Sequence, residues 1–145
     1  MKKIFIYIVL GFLIAISIVF AISYLSNPLH KSEDKIRENI LRLTPIGTNM
    51  EDVITIIQGD KKFGNVNISN EWGVVYDKRL GRPTHYANFS EELADNFEII
   101  GEKCISVSVG HYSSLFAEIF VRAWWAFDEN GELIDVIIEK DGNGF

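Results

Sequence analysis

The sequence predicts an α+β domain carried behind an N-terminal transmembrane helix, and three features predict it. From Ile4 to Leu25 no side chain is charged. Between Ser32 and Gly59 apolar residues recur at helical spacing, and beyond Gly59 the period changes to two. The chain divides on this reading into residues 1–25, a signal-anchor or transmembrane helix; 26–32, a linker; and 33–145, one extracytoplasmic α+β domain. In that domain a two-helix hairpin packs on one face of a four-stranded antiparallel sheet.

The first element follows from length and charge. At about 1.5 Å per residue, a helix over 4–25 is long enough to cross a hydrocarbon core of about 30 Å. Inside lipid it must be helical, because a helix satisfies its own backbone groups. Lys2 and Lys3 form a short basic leader that stays cytoplasmic. His30, Lys31, Lys35, Arg37 and Arg42 follow the span, but Glu33, Asp34 and Glu38 are interleaved with them. The domain is therefore placed outside the cytoplasm. Ala21-Ile22-Ser23 is a small-x-small pattern, so cleavage there stays open beside a retained anchor. No cysteine near the end of the run offers a site for lipidation. Cys104 is the only cysteine, so no internal disulfide forms. Set in an alternating strand, it reads as a small core hydrophobe.

Pro28 stops the first helix. Ser32 is an N-cap, with Glu33 and Asp34 in the first turn where anions suit the helix dipole. Ile36, Ile40 and Leu43 share one face, and Pro45 ends this helix. Thr48-Asn49-Met50-Glu51 reads as a capping box with Thr48 as N-cap. Val53, Ile54, Ile56 and Ile57 give the second helix a wide apolar face, and Gly59 reads as its terminator. The spacing then predicts a strand over Asn65–Asp77, with a break near Gly73. The stretch Lys78–Gly101 is irregular, with a short helix after Ser90. Strands follow over Lys103–His111, Glu118–Asp128 and Glu132–Lys140. Asn130-Gly131 supplies the positive-φ turn between the last two. Gly142-Asn143-Gly144 is expected to fray.

Composition narrows the partners. Twelve basic and 20 acidic residues follow the span, a net charge of −8. Phosphate neutralisation needs clustered Lys and Arg, so nucleic acid is excluded as a partner. The second helix offers no basic recognition face for a DNA-binding hairpin. The Ile, Lys and Asn bias points to an AT-rich bacterial genome.

Two stretches carry a family resemblance. Leu43-Thr44-Pro45-Ile46-Gly47-Thr48-Asn49-Met50-Glu51-Asp52-Val53 is followed much later by Trp124-Trp125-Ala126-Phe127-Asp128-Glu129-Asn130-Gly131-Glu132-Leu133. The pair resembles the SmpA/OmlA-like (BLIP-like) superfamily of small extracytoplasmic domains, over most of residues 33–140. The resemblance implies a Gly-Thr turn opening the second helix and a Phe-Asp-x-x-Gly-x-Leu hairpin closing a four-stranded sheet. It also implies a non-enzymatic binding or scaffolding module. The acylated cysteine of the family's lipoproteins is missing here, Gly59-Asp60-Lys61 replaces a Gly-x-Pro, and 78–101 has no counterpart. No functional residue transfers, because the matching positions build turns and caps.

Chemistry is sparse. His30, His85 and His111 are scattered without ligand spacing, so neither a metal nor a cofactor is expected. Ser113 and Ser114 near His111 lack a strained nucleophile elbow. Glu33-Asp34, Glu51-Asp52 and Glu91-Glu92 are adjacent in sequence and do not face each other on a helix. The aromatic strand says more. Alternation sends Ala123, Trp125 and Phe127 to one face, and Phe120, Arg122, Trp124 and Ala126 to the other. If helices cover only one face, Phe120, Arg122 and Trp124 form an exposed partner-binding patch. Alternatively 78–101, with Tyr86, Phe89, Leu93 and Phe97, folds over them. The expected function is a non-catalytic, membrane-anchored protein-binding or scaffold module, held in the membrane by residues 4–25 and meeting another envelope protein or peptide. An immunity-type protein that neutralises a toxin at the membrane is the alternative. An enzyme using Arg82, His85 and Tyr86 is a third reading, which requires those side chains to converge.

Overall fold

The computed structural model describes residues 2–84, 95–114 and 117–144. It divides into two units, Met1–Lys31 and Ser32–Phe145.

The first unit is helix α1, Lys2–Ser26, followed by a 3-10 turn over Pro28–His30. Asn27 caps that turn by accepting the Leu29 N–H at 3.0 Å. The Tyr24 ring meets His30 edge-on, with centroids 3.9 Å apart. Every described side chain from Ile6 to Val19 is exposed, on all sides of the helix. Among the described residues no helix is long and apolar enough to cross a membrane. The longest stretch of α1 with every side chain described is 6–19.

The second unit opens with α2, Glu33–Leu43, capped by Ser32, whose hydroxyl accepts the Lys35 N–H. Ile36 and Ile40 are buried as the spacing predicts. Leu43 is instead exposed. The next inward position on an i, i+4 path is Thr44, which is buried and completes the stripe. Helix α3 spans Met50–Gly59 and buries Met50, Val53 and Ile57, while Ile56 is exposed. Its N-cap is Asn49 rather than Thr48: the Asn49 Oδ1 accepts the Glu51 N–H at 3.0 Å. Thr48 is otherwise engaged. Its hydroxyl donates to Pro45 O, and its carbonyl accepts the Leu133 N–H. Gly59 lies inside the helix without positive φ, and Asp60 is the C-cap.

The strand predicted over Asn65–Asp77 is two strands in two sheets. β1 is Val66–Ser69 and β2 is Val74–Asp77. The irregular stretch after it holds β3, Arg82–Pro83, and β4, Phe97–Ile100. The helix expected after Ser90 lies outside the described residues. β5 (Lys103–Ser113), β6 (Ala117–Phe127) and β7 (Leu133–Gly144) complete the chain. The main sheet is four-stranded and antiparallel in the order β1-β5-β6-β7, and the second has the order β3-β2-β4. The C-terminal glycines do not fray: Gly142 pairs with Ile119 and Gly144 with Ala117. In the β6–β7 turn only Gly131 has positive φ, at +83°. Asp128 organises that turn by accepting the Glu132 N–H at 2.8 Å.

Alternation along β6 assigns the two faces. Val121, Ala123, Trp125 and Phe127 are fully buried on one side, beside Ile105, Val107, Leu133 and Val136. This is the helix side. The Trp125 indole N–H donates to the Thr44 hydroxyl at 3.0 Å, and Phe63 packs edge-on to its ring. On the opposite side Val74 of β2 joins Cys104, Trp124 and Ala126 in a second core, flanked by Ile100 and Ile137. The small sheet therefore covers part of the outer face. Two glycines mark close backbone approaches, Gly73 to the end of β4 and Gly101 to β6 of the main sheet. A β-carbon on Gly73 would collide with the Ile100 and Gly101 carbonyl oxygens, and one on Gly101 with the Phe127 carbonyl oxygen.

The free rim of β7 is closed over its first half. Gly47 donates to Leu133 O, and Met50 to Gly131 O. Arg37 of α2 donates through Nε to Val136 O at 2.8 Å and pairs with Asp135 at 2.6 Å. The same Asp135 oxygen accepts the Val136 N–H.

Candidate functional site

The small sheet splits the outer-face residues that the sequence grouped together. Trp124 is 4% exposed and belongs to the core under Val74 and Ile100, so it leaves the docking set. Phe120, at 41% exposure, and Arg122, half exposed, remain open to solvent. The physical reason is reach: β2 lies over the Trp124–Ala126 end of β6 and leaves the Phe120 end uncovered.

Two cross-strand neighbours flank Phe120. His111 stands opposite it on β5, with rings 5.8 Å apart, and Asp141 stands opposite it on β7. Glu118 reaches His111, with Nε2 and Oε1 at 3.4 Å. Asp141 also holds Arg82 of β3 at 2.6 Å, and this bond holds the guanidinium charge on. Below them Glu139, buried, accepts the Trp124 indole N–H at 3.1 Å and lies 3.5 Å from the Arg122 guanidinium. Arg122 in turn lies over the Trp124 ring. Ser108, Phe120, Arg122, Glu139 and Asp141 line a hollow of about 290 Å³.

Sequence reading missed Glu139, Asp141 and Arg82 as members of this surface. The first two were accessible in principle. Glu139 and Asp141 alternate in β7 with the parity of Ile137; Glu139 lay inside the predicted strand, whereas Asp141 lay one residue past its end at Lys140. Arg82 arrives through the small sheet, which no pattern in 78–101 announced.

This arrangement sets two arginine–carboxylate pairs, Arg82–Asp141 and Arg122–Glu139, near one exposed ring. Cys104 is far from a reactive state: burial pushes its thiol up to about 11. Among the described residues no group of three or more His, Cys, Asp or Glu could hold a metal ion. His85 and Tyr86 lie outside the described residues, so their convergence with Arg82 is not described. Arg82 itself points to Asp141.

No family model, curated protein or solved structure matches the chain.

Proposed function

We propose that this chain is a membrane-anchored, non-catalytic binding or scaffold module of a bacterial cell envelope, with its α+β domain outside the cytoplasm. One observation carries the anchor. Helix α1 has 25 residues, and its described large apolar side chains are exposed around its whole circumference. Water tolerates no such surface, whereas lipid requires it. Its full run from Ile4 to Leu25, at roughly 1.5 Å per residue, matches a bilayer core. The order of two helices and four antiparallel strands agrees with the SmpA/OmlA-like resemblance.

The docking surface of this reading is the uncovered half of the outer face. Phe120 is an apolar anchor ringed by polar and charged groups, the usual anatomy of an interface centre. The domain's excess of carboxylates steers a basic partner toward it.

Two experiments test the reading. In the native host the protein should resist alkaline carbonate extraction, and external protease should reach the domain in spheroplasts. A photoreactive residue at position 120 should crosslink one discrete envelope protein in intact cells, and Arg122→Gln, which keeps a donor beside Glu139, should weaken that capture with circular dichroism unchanged. Release by carbonate would refute the anchor. Crosslinking no stronger at 120 than at the exposed position 61 would refute the docking surface.

A further inference from the structure

A different surface lies at the other border of the main sheet. β1 pairs with β5 along one side, Asn67 opposite Ser106 and Ser69 opposite Cys104, and among the described residues no strand flanks its other side. An unflanked strand presents a row of backbone donors and acceptors that an extended chain can satisfy. Beside this rim, on the outer face, is a cavity of about 170 Å³. Trp124 and Cys104 form apolar parts of its lining, and Asn67, Ser106 and Thr84 contribute polar groups. Trp72 also lines the cavity and is 52% exposed. Its place is fixed by β1 itself: the Ser69 hydroxyl accepts the Trp72 N–H at 3.3 Å and donates to the Trp72 carbonyl at 3.1 Å.

A strand rim with a side-chain pocket beside it is how sheets take up peptides. Main-chain bonds give affinity, and the pocket selects every second side chain. The cavity has room for one branched aliphatic side chain, and no charged residue lines it. The charge preference comes from the domain as a whole. With a net −8 after the anchor, it favours lysine or arginine on either side of the apolar anchor.

We infer that β1 and the Trp72–Trp124 pocket bind an extended, basic segment of another polypeptide as an added strand, with one apolar side chain seated in the pocket. This rests on the reading of the chain as a binding module, but at a surface separate from Phe120.

The test uses the full chain in zwitterionic bicelles and blocked peptides of the form Lys-Val-X-Val-Lys, with X as Val, Leu or Phe. Saturable amide shifts centred on Val66–Ser69 and the Trp72 indole are expected. Methylating the central peptide nitrogens should abolish binding, and replacing the lysines by glutamates should weaken it about tenfold. Trp72→Ala, a change at an exposed position, should also weaken binding about tenfold with an unchanged melting curve. Absence of saturable shifts with all three peptides overturns the inference. So does binding that survives nitrogen methylation. Shifts centred on Phe120 and His111 overturn it too, while leaving the binding-module reading in place.

Discussion

Replacing Trp124 should wreck the domain, and replacing Phe120, four residues before it on the same strand face, should not. Trp124 is 4% exposed and Phe120 41%. Truncating a buried tryptophan to alanine costs about 3–5 kcal/mol. Trp124→Ala also strips the buried Glu139 of its indole N–H, which adds about 1 kcal/mol or more. The sum of about 4–6 kcal/mol compares with a total stability of about 5–15 kcal/mol for a typical domain. Phe120→Ala gives up only the covered part of its ring and should cost about 1–2 kcal/mol. Urea unfolding of the full chain in detergent, followed by far-UV circular dichroism, separates the two. With a slope of about 1–3 kcal/mol/M, Trp124→Ala should lower the midpoint by at least about 1.3 M or leave no folded baseline. A Trp124→Ala midpoint within error of the parent would refute the argument that the small sheet buries this side chain. Equal losses for both variants would refute the claim that it stops short of Phe120.

Other changes probe separate parts of the fold. Thr44→Val keeps the shape but leaves the buried Trp125 N–H without its acceptor, so thermal melting should show a loss of about 1–3 kcal/mol, with Thr44→Ser retaining most stability. Gly101→Ala forces a side chain into φ +76° and against the Phe127 carbonyl, which should cost about 2 kcal/mol or more in chemical denaturation. Asp77 is held below the usual carboxylate range, first by its bond to the Arg79 side chain and then by the Arg79 and Leu80 backbone N–H groups. A carboxyl with a lowered folded pKa stabilises above its unfolded pKa and loses that contribution as pH falls through the folded value. Urea midpoints should therefore drop below about pH 4, and Asp77→Asn should flatten that part of the profile.

The sequence was most legible where one rule acted alone. Ile36 and Ile40, the order of the four main strands and the Asn130-Gly131 hairpin all follow from local period or turn chemistry. The failures are places where a tertiary partner competed. Thr48 looked like a cap, but its carbonyl serves Leu133, and Asn49 caps instead. Val66–Ser69 and Val74–Asp77 alternate alike, yet Gly73 allows the chain to cross closely and enter a second sheet. That second sheet decides which outer-face aromatic stays exposed, because it covers Trp124 and spares Phe120. Its strands are two to four residues long, too short for alternation to mark them.

Strand β7 is 12 residues long and borders the main sheet, a place where a neighbouring molecule could zip on and start a fibre. The guanidinium of Arg37 and the backbone around Gly47 already occupy the contacts such a neighbour would need along the first half of that seam. Crowded copies thus meet a latched margin there, and damage to Arg37 would surface as clumping before any loss of the folded core.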